Sequence, residues 1–74
     1  MISKDKLILK LQNIKKEELT SVSFRVLIGQ LKNRLSYSNS VIKEDEIYKK
    51  FNEFVKKYSS LPAVQNDLNK YFKS

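Results

Sequence analysis

The chain has 74 residues, a formal net charge of +7, and neither cysteine nor histidine. A domain of this length has a small core, and the missing residue types exclude disulfide staples and the usual Cys/His zinc sites. One proline and one glycine supply few turn residues, which argues against an all-β fold. No run approaches the roughly 18 apolar residues of a membrane span, and the start is too charged for a signal peptide. We therefore expect a cytoplasmic protein without membrane insertion.

The positive charge is distributed unevenly along the chain. Residues 1–16 carry five lysines against Asp5 alone, whereas each of three later segments has a net charge of about +1. If the basicity serves a function, the first helix carries most of it. A lysine-rich composition that only keeps the protein soluble is an equal alternative.

The first predicted helix runs from about Lys4 to Lys16, with Ser3 as its N-cap. Apolar residues at helical spacing form its inward stripe: Leu7, Leu11 and Ile14. Leu9 points the other way. Lys15 and Lys16 fall in the last turn, where cations complement the helix dipole. That explanation does not cover Lys6 and Lys10, which lie four residues apart on the outer side.

The central predicted helix, Leu19–Leu35, has apolar residues on two sides. One stripe has the spacing of a buried face and consists of Phe24, Leu27, Ile28, Leu31 and Leu35. The opposite side holds Leu19, Val22 and Val26, so we expect neighbours on both sides. The cluster of Arg25, Gly29 and Lys32 lies between the stripes. The glycine predicts the close approach of another helix or of a ligand there, and we favour helix packing.

The polar segment 36–40 predicts a loop, followed by a helix over about Lys43–Tyr58. Its inward stripe is the cleanest of the chain: Ile47, Phe51, Phe54, Val55 and Tyr58. Its outer face offers three acid-first pairs four residues apart, which are Asp45–Lys49, Glu46–Lys50 and Glu53–Lys57. A last short helix, capped by Ser60, extends to about Phe72. The sequence therefore predicts an all-α fold: one domain, residues 1–74, built as a compact bundle of four helices with the fourth short.

Catalysis is not expected, because the commonest nucleophile–base pairs need Cys or His. The carboxylates of the third helix are the remaining candidates for acid–base or metal chemistry, but a solvated face among lysines explains them more simply. A single glycine cannot form a phosphate-binding loop. We therefore predict a non-enzymatic protein with no catalytic residue, no metal site and no cofactor. Among the aromatic residues, only Tyr37 and Tyr48 are expected to face solvent.

The middle of the chain resembles the GatB/YqeY family, which comprises YqeY-like proteins and the C-terminal region of an amidotransferase subunit that acts with tRNA. The matching residues are Arg25 within SFRVLIGQLKN, the Leu31-Lys32-Asn33 end of that helix, and the acidic start Glu44-Asp45-Glu46-Ile47. Phe51, Val55 and Lys56 continue the match, which spans about 35 residues without a gap. Lys43 and Tyr58 depart from the family pattern, which prefers Thr or Ser and Arg there. The resemblance implies an all-α fold and a link to tRNA or RNA.

Two functional hypotheses follow. The first is an RNA-binding accessory module, associated with tRNA through the resemblance, that contacts RNA with Lys6, Lys10, Lys15, Lys16, Arg25 and Lys32. The second is a protein-interaction module (a small regulator, inhibitor or immunity-type protein) that docks a helix face on a larger partner. We expect a monomer or a weak homodimer, because a short chain can leave an apolar face uncovered. Leu9 and the Leu19, Val22 and Val26 side of the central helix are the candidates for that face.

Overall fold

A computed structural model of the chain describes residues 2–37 and 41–73, positions 41 and 42 by their backbone only. These residues form four α-helices and no strand, so the predicted all-α bundle is confirmed. The helices are α1 (Lys4–Asn13), α2 (Val22–Tyr37), α3 (Val41–Tyr58) and α4 (Pro62–Tyr71), with a short 3-10 helix at Lys16–Glu18 between α1 and α2. Residues 38–40 of the predicted loop lie outside the described residues, and Ser36 and Tyr37 belong to α2.

The core lies between α1, α2 and α3, and α4 adds Val64 from its first turn and Phe72 from just after its end. Every inward residue predicted for α1 is buried, and Ser3 caps that helix by accepting a hydrogen bond from the Lys6 amide. An aromatic cluster joins two helices, α2 and α3, and the residue after α4: Phe24, Phe51, Phe54 and Phe72. Its ring centroids are 5.0 to 6.0 Å apart, within the range of favourable aromatic pairs. Phe54 and Val55 are only partly buried at its edge.

Helix α1 ends earlier than the periodicity predicts. Ile14 is its C-cap with an extended backbone, so Lys15 and Lys16 lie beyond the helix and not in its last turn. Ile14 is nevertheless buried, because an inward side chain at the helix end reaches the core from either backbone conformation. The dipole explanation for the two lysines is therefore wrong.

The central helix was expected to have neighbours on both sides, with Leu19, Val22 and Val26 covered on the second side. This expectation is wrong for Val22 and Val26. Leu19 precedes α2 in an extended conformation and is buried, while Val22 and Val26 remain 71% and 56% exposed. Leu19 is therefore excluded from the uncovered apolar face, and Leu9, Val22 and Val26 remain exposed. Gly29 also differs from the expectation of a closely packed helix. The closest atom to the position of an added Cβ is Cδ of the Lys16 side chain, at 3.4 Å.

A buried aspartate from α4 holds the start of α2. Asp67 is fully buried, and its two carboxylate oxygens accept hydrogen bonds from the backbone amides of Thr20 and Ser21 at 2.8 and 2.9 Å. The Ser21 hydroxyl in turn accepts from the amide of Phe24. These bonds satisfy amide groups that a helix start leaves without partners. The sequence carries a signal for the burial of Asp67 but not for its partners, because position 67 falls on the apolar stripe of Val64, Leu68 and Tyr71.

The start of α4 differs from the prediction as well. Its N-cap is Leu61, which makes no side-chain capping bond, and Pro62 occupies the first turn. Proline has no amide hydrogen to satisfy and is well suited to that position. Ser60 is therefore not the cap.

Candidate nucleic-acid interface

A groove between α1 and the end of α4 brings together two pairs of lysines, and the two pairs are far apart in the sequence. We call it the terminal groove; it has a volume of about 380 Å³ and its basic residues are Lys6, Lys10, Lys70 and Lys73. None of the described residues that line it is acidic. Because the Debye length is about 8 Å at physiological salt, amines gathered in one groove reinforce one another toward an anionic ligand.

Apolar side chains line the same groove between the amines. They come from Ile2, Leu9 and Tyr71, and Asn13 adds an amide. Leu9 is 60% exposed, although its neighbours Ile8 and Leu11 are buried. The Tyr71 side chain packs against the core, and its hydroxyl donates to the carbonyl oxygen of Glu18 at 3.3 Å. The groove therefore combines cations with an apolar wall that includes a tethered aromatic ring.

A second groove, which we call the central groove, lies between the 3-10 helix and α2. It has a volume of about 530 Å³. The four predicted binding residues that do not line the terminal groove all line this one: Lys15, Lys16, Arg25 and Lys32. Glu17 also lines it, so its cations are partly offset. The six predicted site residues are therefore divided between two grooves, two in the terminal groove and four in the central groove.

Two of the central-groove cations are hydrogen-bonded to the protein's own backbone. Nζ of Lys32 donates to the carbonyl oxygens of Leu11 and Ile14 at 2.7 and 2.6 Å, and Nε of Arg25 donates to the carbonyl oxygen of Leu19 at 2.6 Å. Lys32 thus supplies, from another helix, the cation that the end of α1 favours. These bonds give Lys32 a structural role at the end of α1, whereas Arg25 is exposed at the groove.

Replacing Lys32 by methionine is expected to destabilise the fold. The change keeps most of the side chain's length but leaves two carbonyls of the α1 end without their charged donor. A hydrogen bond to a charged group contributes about 1.5–3 kcal/mol, and partial exposure places the total near the lower end of that range. Urea denaturation followed by circular dichroism measures the loss. The same change at the exposed Lys15, whose side chain makes no capping hydrogen bond, is the control, and equal losses would contradict the capping role.

Acidic residues gather at the start of α3 and are paired with cations from other helices. Asp45 binds Lys4 and Glu46 binds Arg34, each at 2.8 Å. The predicted pairs of these acids with Lys49 and Lys50 on the same helix are therefore wrong. The acids bind cations of α1 and α2 instead. The hydrogen bond from Lys4 to Asp45, with their charge attraction, raises the pKa of Lys4 above its ordinary 10.5. The positive charge of Lys4 is thus complete at neutral pH, and the stabilisation from its raised pKa is lost as the pH rises through that raised value.

Lys70 and Lys73 belong to the basic surface although they were not predicted as binding residues. Both are exposed, and Nζ of Lys70 lies 5.3 Å from the centroid of the Tyr71 ring. Periodicity within one helix cannot show that the chain's two ends meet, so no local signal identifies them. Tyr48 was also misassigned, because its hydroxyl donates to the carbonyl oxygen of Ile2 at 2.9 Å, whereas Tyr37 is exposed as predicted.

Comparison with known proteins adds no relative. No family model matches the chain, and neither a curated protein nor a solved structure does. The GatB/YqeY resemblance therefore stays an expectation drawn from the sequence. Within residues 2–37 and 41–73, none of the helices has the length and apolar character needed to cross a bilayer.

Proposed function

We propose that the chain is a non-enzymatic RNA-binding module that contacts the RNA backbone through the terminal groove. The observation that carries the proposal is the meeting of Lys6, Lys10, Lys70 and Lys73 in one groove without an acidic residue among its described lining. Such a cluster of lysines is the electrostatic footprint of a phosphate-binding surface. The acids of α3 that pair with Lys4 and Arg34 leave these four amines unneutralised.

Lys15, Lys16 and Arg25 extend the proposed surface. Lys15 and Lys16 are exposed beyond the end of α1, where nothing in the dipole of that helix accounts for them. Tyr71 links the terminal groove to the 3-10 helix beside the central groove, since it lines the terminal groove and its hydroxyl donates to the carbonyl oxygen of Glu18, next to Glu17 of the central groove. The association with tRNA rests only on the family resemblance, so RNA is the ligand class that we propose.

The salt dependence of binding tests this proposal. Each phosphate contact to a single strand contributes about 0.7 to the slope of log K against log salt. The double variant Lys6→Ala/Lys10→Ala should therefore lower the magnitude of the slope by about 1.4. Fluorescence anisotropy with a labelled RNA, from low to physiological salt, measures it. The matched control is Lys49→Ala/Lys50→Ala, which removes the same charge from exposed positions of α3 that line neither groove.

Two results of this experiment would contradict the proposal. An affinity that falls equally in the groove variant and in the α3 control would assign binding to net charge and not to the groove. Absence of RNA binding at low salt would remove the RNA-binding function altogether. Circular dichroism of both variants shows whether the helices are intact, which is expected because all four lysines lie outside the core.

A protein-interaction module is the second candidate, and the exposed valines of α2 favour it. Val22 and Val26 are more than half exposed one helical turn apart, and Val26 lies at the central groove beside Arg25. Such an apolar pair next to a cation suits an acidic partner surface. This candidate predicts RNA affinity no tighter than about 0.1 mM at physiological salt, the weak end of non-specific binding. It also predicts indifference to the loss of Lys6 and Lys10.

A further inference from the structure

We infer that the terminal groove selects single-stranded over double-stranded RNA by packing an unpaired base against Leu9 and Tyr71 while its lysines hold the adjoining phosphates. The inference deepens the proposed function and rests on it. It begins from a feature that phosphate binding alone leaves unexplained, which is the apolar wall between the four amines.

The apolar wall is accessible and partly fixed in position. Leu9 is 60% exposed at the groove, and Tyr71 is half-buried, with its ring packed against the core. The bond from the Tyr71 hydroxyl to the Glu18 carbonyl restrains the ring at its far end. A ring that is already ordered loses little conformational entropy when a ligand packs on it. The wall is thus prepared for a flat apolar partner.

The surrounding charges determine which flat partner fits. Lysines stand on both walls, with Lys6 and Lys10 on α1 facing Lys70 and Lys73 from the end of α4. A ligand that fills the groove must therefore carry anionic groups on both sides of an apolar face. A nucleotide in an unpaired strand has that composition, because each base is flanked by two phosphates. Asn13 lines the same groove, and because its amide nitrogen donates to the carbonyl oxygen of Leu9 at 2.9 Å, its amide oxygen is the group offered to a base edge.

A duplex cannot use the apolar wall. Its bases are stacked inside the helix, and the surface that it presents consists of phosphates and 2′-hydroxyls. A duplex that binds here would gain phosphate contacts but leave Leu9 and Tyr71 uncovered or facing charged groups. The volume of about 380 Å³ lies at the lower end of the roughly 300–1,000 Å³ of ligand pockets, which suits one base better than a stretch of helix.

In the absence of RNA, the amine of Lys70 lies over the ring of Tyr71. Its Nζ lies 5.3 Å from the ring centroid, a cation–π distance. A phosphate beside the base offers that amine a stronger partner, so the amine can leave the ring as the base reaches it.

The test compares a labelled, unstructured 12-nucleotide RNA with a blunt duplex of the same length by fluorescence anisotropy at physiological salt. Stacking on an aromatic ring contributes about 1–3 kcal/mol per base, so Tyr71→Ala should weaken single-strand binding by about 5–150-fold. The variant should leave the salt slope unchanged, because it removes no charge. Tyr71→Phe keeps the ring and should bind within about threefold, and Tyr37→Ala, at an exposed tyrosine of α2, should bind like the unaltered protein.

Leu9→Ala keeps the test decisive even if Tyr71→Ala disturbs the core. Leu9 is exposed, so its truncation spares the fold, and it should weaken single-strand binding while leaving duplex binding unchanged. Duplex binding as tight as single-strand binding, or single-strand binding indifferent to both variants, would overturn the inference and leave the RNA-binding function standing. Displacement of the RNA by a glutamate-rich peptide of equal charge would also overturn it, since charge alone would then suffice. Failure of both RNAs to bind at low salt would instead overturn the proposed function.

Discussion

Truncation of Phe51 to alanine is expected to lower the free energy of unfolding by about 3–5 kcal/mol. Phe51 is 1% exposed, and its ring lies 6.0 Å from that of Phe24 and 5.1 Å from that of Phe72. The change removes the buried ring and leaves a cavity where α2, α3 and the end of α4 meet. A chain of 74 residues has a total stability of about 0.05–0.15 kcal/mol per residue. The loss is therefore comparable to the whole stability of the domain.

Urea denaturation followed by circular dichroism measures this loss, with Phe54→Ala as the matched control. Phe54 lies on the same helix and also touches Phe24, with centroids 5.0 Å apart, but it is only partly buried. Its truncation should cost clearly less, because part of its ring already faces water. The sequence alone predicts equal losses at the two positions. Equal losses, or a loss below about 2 kcal/mol for Phe51, would contradict the structural arrangement of the core.

Replacing Asp67 by alanine is expected to lower the free energy of unfolding by about 3–6 kcal/mol. The change removes two hydrogen bonds from backbone amides to a charged acceptor, each worth about 1.5–3 kcal/mol. It also leaves the amides of Thr20 and Ser21 without that partner, one of them in a buried position. Because Asp67 joins α4 to the start of α2, its loss should loosen the α4 contact as well as the helix start. Amide hydrogen exchange at Thr20 and Ser21 should accelerate accordingly.

The neighbouring Asn66 provides the control. Its side chain also reaches Thr20, donating to the hydroxyl at 3.1 Å, but the contact is exposed. Asn66→Ala should therefore change stability by less than about 1 kcal/mol, in line with exposed substitutions. Asp67→Asn should fall between the two, since a neutral amide offers one acceptor oxygen in place of two. A cost below about 1 kcal/mol for Asp67→Ala would show that water replaces the carboxylate at no penalty.

The sequence by itself determined the fold class and most of the inward residues. Helical periodicity is a local property, so the stripe of Leu7, Leu11 and Ile14 and the pair of Ile47 and Phe51 could be identified without tertiary information. All five are buried in the structure. The cap at Ser3 was also predictable, because it depends only on residues within one turn.

Only the tertiary structure decided which polar groups meet. Long side chains reach across helix boundaries, so Asp45 binds Lys4 of α1 and not Lys49 on its own helix. In the same way Lys32 caps α1 and Asp67 caps α2.

The candidate site follows the same division. Lys6 and Lys10 could be selected from the sequence because their charge lies four residues apart on one helix face. Lys70 and Lys73 join them only because the end of α4 packs beside α1. A groove formed by two segments some sixty residues apart has no periodic signature, since periodicity describes one helix and a groove is made between two. The basic helix can thus be predicted from the sequence, whereas the groove that it lines exists only because α1 and the end of α4 pack together.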